Sequence, residues 1–341
     1  MIPEEKTAAV ARALREAFGV TGCEDLRLLA DGFTSTRVFR IVVRGCPYLM
    51  RICTRTDGRN EPTRQFACMK IAAEAGLAPR IWYTNVEDRI SIIDFIDARP
   101  LALTEAAVLV ARTLQSLHAA PGFPKLANGF DTAPTFLLRA SASRDGFVQR
   151  FQASKILPES ETAELLRLYA RVTGVYSCQD SDMVASHNDL KPPNMLFDGE
   201  RLWLIDWEAA FLNDRYNDLA VMANFVVTNG AVEEIYLRTY FGEAAGEYSL
   251  ARFYLMRQIV HLFYAMVFIL LGSSGKPIDS NAPVPDFRDF HSRIWTGEVS
   301  LDTGETKVQF GRVHMNQLLQ NAQTAQFQEA LRIVSDRGGR S

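Results

Sequence analysis

Between Ser186 and Asn194 the chain reads Ser-His-Asn-Asp-Leu-Lys-Pro-Pro-Asn, and Leu204-Ile-Asp-Trp-Glu208 follows soon after. These segments supply a loop carboxylate at Asp189, an amide oxygen at Asn194 and a second carboxylate at Asp206. Transfer of a phosphoryl group needs such parts. A carboxylate orients an attacking hydroxyl and accepts its proton, and oxygen ligands hold a Mg2+ ion against the phosphates. Mg2+ prefers one or two protein carboxylates beside phosphate oxygens and water. Pro192 and Pro193 would stiffen the intervening loop by fixing its backbone angles. Asn and Asp beside Gly and Pro also build ordinary turns, so any one of these residues means little. The full spacing, H-N-D-x-x-x-x-N with a downstream I-D-W-E, is hard to obtain from turns alone.

Placing these side chains together requires particular elements. Met195-Leu-Phe197 and Leu202-Trp-Leu-Ile205 flank Asp198-Gly199, a pattern that predicts a β-hairpin with Asn194 and Asp206 at its open end. His187 is expected to bond the loop backbone rather than act as a base. Elsewhere in this half the period is helical: Ala107, Val110, Leu114 and Leu117 share one face of a helix that ends at His118. Helices are expected from Asp218 to about Val334, broken by a loop at 272–289, with the tail from Asp336 frayed. The first hundred residues differ. After a helix over 3–18, strands are predicted at 26–29, 37–43, 48–53, 80–83 and 90–95, with connections at Asp31-Gly32 and Gly45-Cys46-Pro47. A helix over 63–75 is inserted among them, ended by Gly76 and Pro79. The fold class is therefore α+β: an antiparallel five-stranded sheet with one helix, then a larger, mainly helical part.

With 341 residues the chain is long enough for two lobes, divided here as 1–96 and 97–341. A net charge of −3 argues against a general nucleic-acid binder. Five widely spaced cysteines, without a C-x-x-C pair, argue against a disulfide framework or structural zinc site and fit reduced thiols in the cytoplasm. The polar opening Met1-Ile-Pro-Glu-Glu-Lys lacks a secretory profile. The apolar run 259–271 is shorter than the roughly 20 residues a membrane span needs and is expected to be a buried helix.

At the residues around 186–220 the sequence resembles the protein-kinase-like small-molecule kinases: aminoglycoside phosphotransferases and, more closely, choline/ethanolamine kinases. Their relatives among protein kinases carry H-R-D-x-x-x-x-N and D-F-G; here Asn188 replaces the Arg, and Trp207-Glu208 replaces Phe-Gly. The resemblance spans roughly residues 25–270 and implies a bilobal protein-kinase-like fold that uses ATP and Mg2+. It implies Asp189 as catalytic base, Asn194 and Asp206 as metal ligands, Glu208 as support for a second metal or the substrate, and Asp218 as a brace for the catalytic loop. In the N-terminal part it places a phosphate-covering loop at Asp31-Gly-Phe-Thr-Ser-Thr36, where Gly32, Thr34, Ser35 and Thr36 would contact phosphate. Arg51 takes the strand position of the phosphate-pairing lysine, and its guanidinium can fork onto phosphate. The helix acid meant to pair with it is missing at Gln65; Glu61, one turn earlier, and Glu74 are the nearby carboxylates, and the choice between them stays open. Asp94 to Ile96 resembles the hinge that bonds adenine through its backbone.

Aromatic residues gather after the metal site: Trp207, Phe211, Tyr216, Phe253, Tyr254, Phe263, Tyr264 and Trp295. With charge from Glu208 and Asp214 they would suit an ammonium group, with Trp207, Glu208 and Tyr254 as the substrate contacts; equally, aromatic stripes at helical spacing usually face a core. The resemblance favours a hydroxyl acceptor like choline or ethanolamine. An aminoglycoside, homoserine or sugar kinase of the same fold stays open. So does a degenerate nucleotide-binding protein, given Gln65 and the single-glycine loop.

Overall fold

The computed structural model describes residues 2–31, 36–53, 61–126, 133–138 and 142–338. Of the expected phosphate loop, Gly32, Thr34 and Ser35 lie outside the described residues.

The chain opens with α1 (Thr7–Phe18), which buries Ala9, Val10, Ala13 and Leu14 and stops where Gly19 turns left-handed at φ 71°. Strands β1 (Asp25–Asp31), β2 (Thr36–Val43), β3 (Cys46–Cys53), β4 (Ile81–Asn85) and β5 (Ile90–Asp94) form one sheet in the order β1-β2-β3-β5-β4. Every neighbouring pair is antiparallel. The β2–β3 turn consists of Arg44 and Gly45, both at positive φ (51° and 74°), the geometry of a two-residue hairpin. Cys46 and Pro47, expected in this connection, instead begin β3. Helix α2 (Pro62–Glu74) lies between β3 and β4 and begins with Pro62 in its first turn.

The larger part is mostly helical: α3 (Leu103–His118), α4 (Ala142–Ala153), α5 (Glu159–Thr173), α6 (Arg215–Val226), α7 (Gly230–Phe241), α8 (Glu247–Ser273), α9 (Phe287–Trp295), α10 (Gly304–Ala322) and α11 (Ala325–Gly338). Two small two-stranded sheets interrupt it. One joins β6 (Met183–Ser186) to β9 (Phe211–Asp214), a pairing absent from the sequence reading. The other is the expected hairpin of β7 (Met195–Phe197) and β8 (Leu202–Leu204). At its tip the Asp198 carboxylate accepts the N–H groups of Glu200 and Arg201 and the Trp203 indole N–H. Helix α11 runs on to Gly338, with Asp336 paired to Arg332, so the tail expected to fray from Asp336 is helical there.

Two apolar clusters are buried. The smaller sits between α1 and the sheet, around Phe39, Ile41, Met50, Ile52 and Ile92. The larger fills the helical part and takes in Phe66, Cys68, Met69 and Ala72 of α2. Helix α8, 27 residues long, passes through the larger cluster and packs against α10, α6, α11 and α5. Its length and composition would allow it to cross a membrane. Here it carries core residues such as Leu255, Met256, Ile259, Leu262 and Met266, all fully buried.

Candidate active site

The loop after β6 is held from below. The N–H groups of His187 and Asn188 both donate to the Asp218 carboxylate, at 2.7 and 2.9 Å, from the first turn of α6. Asp218 is fully buried. Burial alone would favour its neutral form, but His118, His187 and the donated hydrogen bonds hold its pKa below the ordinary value. His118 at the end of α3 approaches it at 3.5 Å and meets the Tyr240 hydroxyl at 2.6 Å on its other nitrogen.

Asn188 turns the loop at φ 67°, a left-handed conformation that Asn tolerates better than most residues. Its buried amide is a hub. Nδ2 donates to the carbonyls of Ser186, Ala209 and Phe211, while Oδ1 accepts from Asn213 at 2.7 Å and Asn217 at 3.3 Å. The β6–β9 pairing, Ser186 opposite Phe211, sets these two segments side by side. The turn leaves the Asp189 side chain 44% exposed, where Lys191 pairs with it at 2.8 Å. Asn194 donates Nδ2 to the backbone oxygen of Asp189 at 2.8 Å and to its carboxylate at 3.2 Å. Its amide oxygen is the atom of this side chain suited to a hard cation. The Ile205 N–H bonds the Asn194 carbonyl at 3.0 Å, so Asp206 follows directly beside Asn194 at the hairpin mouth.

Asp206 also adopts a left-handed backbone, φ 68°. From the sheet, Arg51 on β3 reaches across to it at 2.8 Å and to Glu208 at 3.2 Å. Thr36, the first residue of β2, donates its hydroxyl to Glu208 at 2.9 Å. Burial opposes the charge on Asp206, but Arg51, with help from Lys191 and His187, holds its pKa below the ordinary value. Glu208 goes the other way: burial and the neighbouring Asp206 charge raise it, against Arg51 and Thr36.

Several expected contacts fall elsewhere. Glu61 is exposed and precedes α2 as its capping residue, while Arg51 is paired with Asp206 and Glu208; Glu61 is not its partner. Gln65 is buried. Helix α2 instead contributes Arg64, whose guanidinium donates to the carbonyl of Glu208 at 2.8 Å and to that of Ala210. Sequence reading missed this residue, because a buried arginine that serves backbone oxygens has no spacing signature. Trp207 is only 1% exposed and packs on His187 and Phe123, so it presents no surface to a substrate. Tyr254 bonds Thr324 and lines a separate hollow with Glu233 and Leu237. Asp214 is also lost as a substrate carboxylate. It is fully buried, caps α6 through the Tyr216 N–H, and is engaged by Arg252 and Tyr176. Asp94 closes β5 and accepts the Trp82 indole N–H at 2.7 Å; Ile96 follows it, half-buried, in the extended link to the helical part.

A cavity of about 1100 Å3 opens beside Asp189 and Lys191. Its floor includes the buried rings of Phe136, Phe225, Phe263 and Phe310, and Tyr264, Val267 and Phe268 of α8 form one wall.

A sheet bearing a buried basic residue thus faces a loop-and-hairpin set of carboxylates and an amide. The phosphotransferase enzyme family, APH, matches residues 25–254, and the chain belongs to it. Over 54 residues it is 41% identical to Protein LicA of Haemophilus influenzae, a stretch that spans 16% of this chain and only about a fifth (20%) of that relative. In fold it is similar to a choline/ethanolamine kinase family protein from Mesorhizobium loti, with a TM-score of 0.64 at 20% identity over 97% of this chain and 99% of that one. It is also similar to the choline kinase LicA from Streptococcus pneumoniae, with a TM-score of 0.57 at 15% identity over 92% and 100% of the two chains. Aminoglycoside phosphotransferase APH(2")-IIa, solved as a ternary complex with streptomycin and ATP, gives a TM-score of 0.51 at 18% identity over 81% and 95%. These likenesses show the bilobal kinase-like fold.

Proposed function

We propose that the protein transfers the γ-phosphate of ATP to a hydroxyl group of a small molecule with the help of Mg2+. The observation that carries this is the convergence of Asp189, Asn194, Asp206 and Arg51 from separate elements around one opening. Asp189 orients the acceptor hydroxyl and takes its proton as the oxygen forms its bond to phosphorus. The bond from phosphorus to the ADP oxygen breaks, leaving ADP and a phosphate monoester. Asn194, Asp206 and Glu208 offer only oxygen donors, as a hard divalent cation requires, and would hold the Mg2+. When bound, that ion neutralises charge on the phosphate oxygens. Arg51 and Lys191 add fixed positive charge beside the same opening. Thr36 and the backbone of Asp94 to Ile96 would contact phosphate and adenine, with residues 1–96 serving the nucleotide and 97–341 the chemistry and the acceptor. His187 and Asp218 keep the loop in place. Cysteines that form no disulfide suit a cytoplasmic enzyme.

Relatives named as choline and ethanolamine kinases make a small aminoalcohol the first acceptor to assay. Against it, Asp214 is enclosed and Glu208 is already shared by Thr36 and Arg51. The test of the chemistry is Asp189→Asn. ADP release should fall by about 10²–10⁴-fold, with ATP affinity, measured by calorimetry, kept within a small factor. Undiminished turnover in this variant would remove Asp189 from the mechanism.

A further inference from the structure

The cavity beside Asp189 says more about the acceptor than the metal site does. At about 1100 Å3 it lies just above the roughly 300–1,000 Å3 range of ordinary ligand sites, and choline would leave most of it empty. Its charged lining residues, among those described, are Arg150, Asp189, Lys191 and Asp302. Two cations accompany two anions, so the described lining carries no net charge with which to draw in a polycation. Polar groups are also scarce. The Asn188 amide is already spent inside the loop, and Ser143 and Ser300 sit exposed at the rim.

The apolar wall has a direction. Phe263, Tyr264, Val267, Phe268, Leu270 and Leu271 of α8 all face the cavity, the spacing of one helical face. Tyr264 stands at the catalytic end: besides burial, the charges of Asp189 and Asp218 push its phenol pKa upward. Leu271, 62% exposed, stands at the outer end. At 1.5 Å per residue the stripe is roughly 10 Å long. From this arrangement, and resting on the phosphotransferase reading above, we infer that the acceptor is a bulky, largely apolar alcohol. Its hydroxyl lies at Asp189 and its hydrocarbon body runs along α8 toward Leu271. The same oxygen-to-phosphorus bond forms and the same proton goes to Asp189; only the body of the alcohol is specified further.

The experiment is a series of primary alcohols, 1-butanol to 1-decanol, alongside choline and ethanolamine, with the full chain, ATP and Mg2+ and ADP release as readout. Each added methylene buried on the wall is expected to raise kcat/KM about fourfold, until the roughly 10 Å stripe is covered. Val267→Asp should flatten that dependence. Leu271→Asp, at an exposed position where folding is secure, should cut it short at the longest chains. A flat or falling series, with choline or ethanolamine turned over faster, overturns the inference and leaves the phosphotransferase reading standing. If no alcohol yields ADP above the Asp189→Asn level, that reading fails instead. The cavity is then judged by thermal stabilisation with 1-decanol in the absence of nucleotide. Stabilisation lost in Val267→Asp supports an apolar occupant, and no stabilisation of the native protein overturns it.

Discussion

Asn188 shows how much of this site depends on one side chain without charge. It occupies the left-handed turn and satisfies three carbonyls and two amides at once. Replacing it with Ala removes the one side chain these groups share, at a cost of about 1–3 kcal/mol for each buried group that neither water nor its other contacts satisfy. Asn188→Ala should therefore lower the urea midpoint and kcat together. Asn188→Gly, which accepts the same φ, should recover only the backbone share. An unchanged kcat in both variants would make the hub purely decorative. The proposed chemical residues around it were legible, because Asp189, Asn194 and Asp206 sit at short fixed spacings. The hub was not legible. Its partners Asn213 and Asn217 lie more than twenty residues downstream, and nothing local announces that they return to the loop.

Among elements, α2 is the instructive one. Gly76 marked its end well, and Pro62 sits in its first turn. What it does for the site was invisible, because several of its sides are buried and Arg64 reaches carbonyl oxygens that no local spacing announces. Arg64 ties the helix to the segment carrying Glu208. Arg64→Met keeps the bulk and removes the donors, leaving two carbonyls without their guanidinium. The expectation is a roughly tenfold or greater loss in kcat/KM, about 1.4 kcal/mol, from a misplaced Glu208. The melting temperature should fall by only a few degrees. Steady-state kinetics beside a thermal melt separate the two effects. Strands β6 and β9 escaped notice for a different reason: each has four residues, too few for alternation to show, and their pairing spans the whole loop and hairpin.

At the scale of the molecule, the mixed architecture followed from the change of period near residue 100. The apolar run 259–271, expected as a short buried helix, is part of the longer α8, which lies in the large apolar cluster. Stability and site share one device here, Asp218. Its folded pKa lies below its ordinary 3.8, so its contribution is complete above that value and disappears as pH falls through the lower, folded one. Asp218→Asn should destabilise the protein at neutral pH by about 3–5 kcal/mol, the cost of breaking a buried charged network. The gap from the native chain should narrow as pH drops below 3.8. Urea titrations at stepped pH measure it, and a gap independent of pH would deny Asp218 its charge in the folded state.

Arg51 gives the resting protein an internal counterion, held between the two carboxylates proposed above as metal ligands. Loading the site is then an exchange of partners. A triphosphate drawing the guanidinium away frees the carboxylates, and each guest makes room for the other. Coupling of this kind is reciprocal. Mg2+ alone should bind feebly by calorimetry and more tightly once a nucleotide is present. In Arg51→Met the bare ion should bind better than it does to the native chain, and the mutual help should be lost.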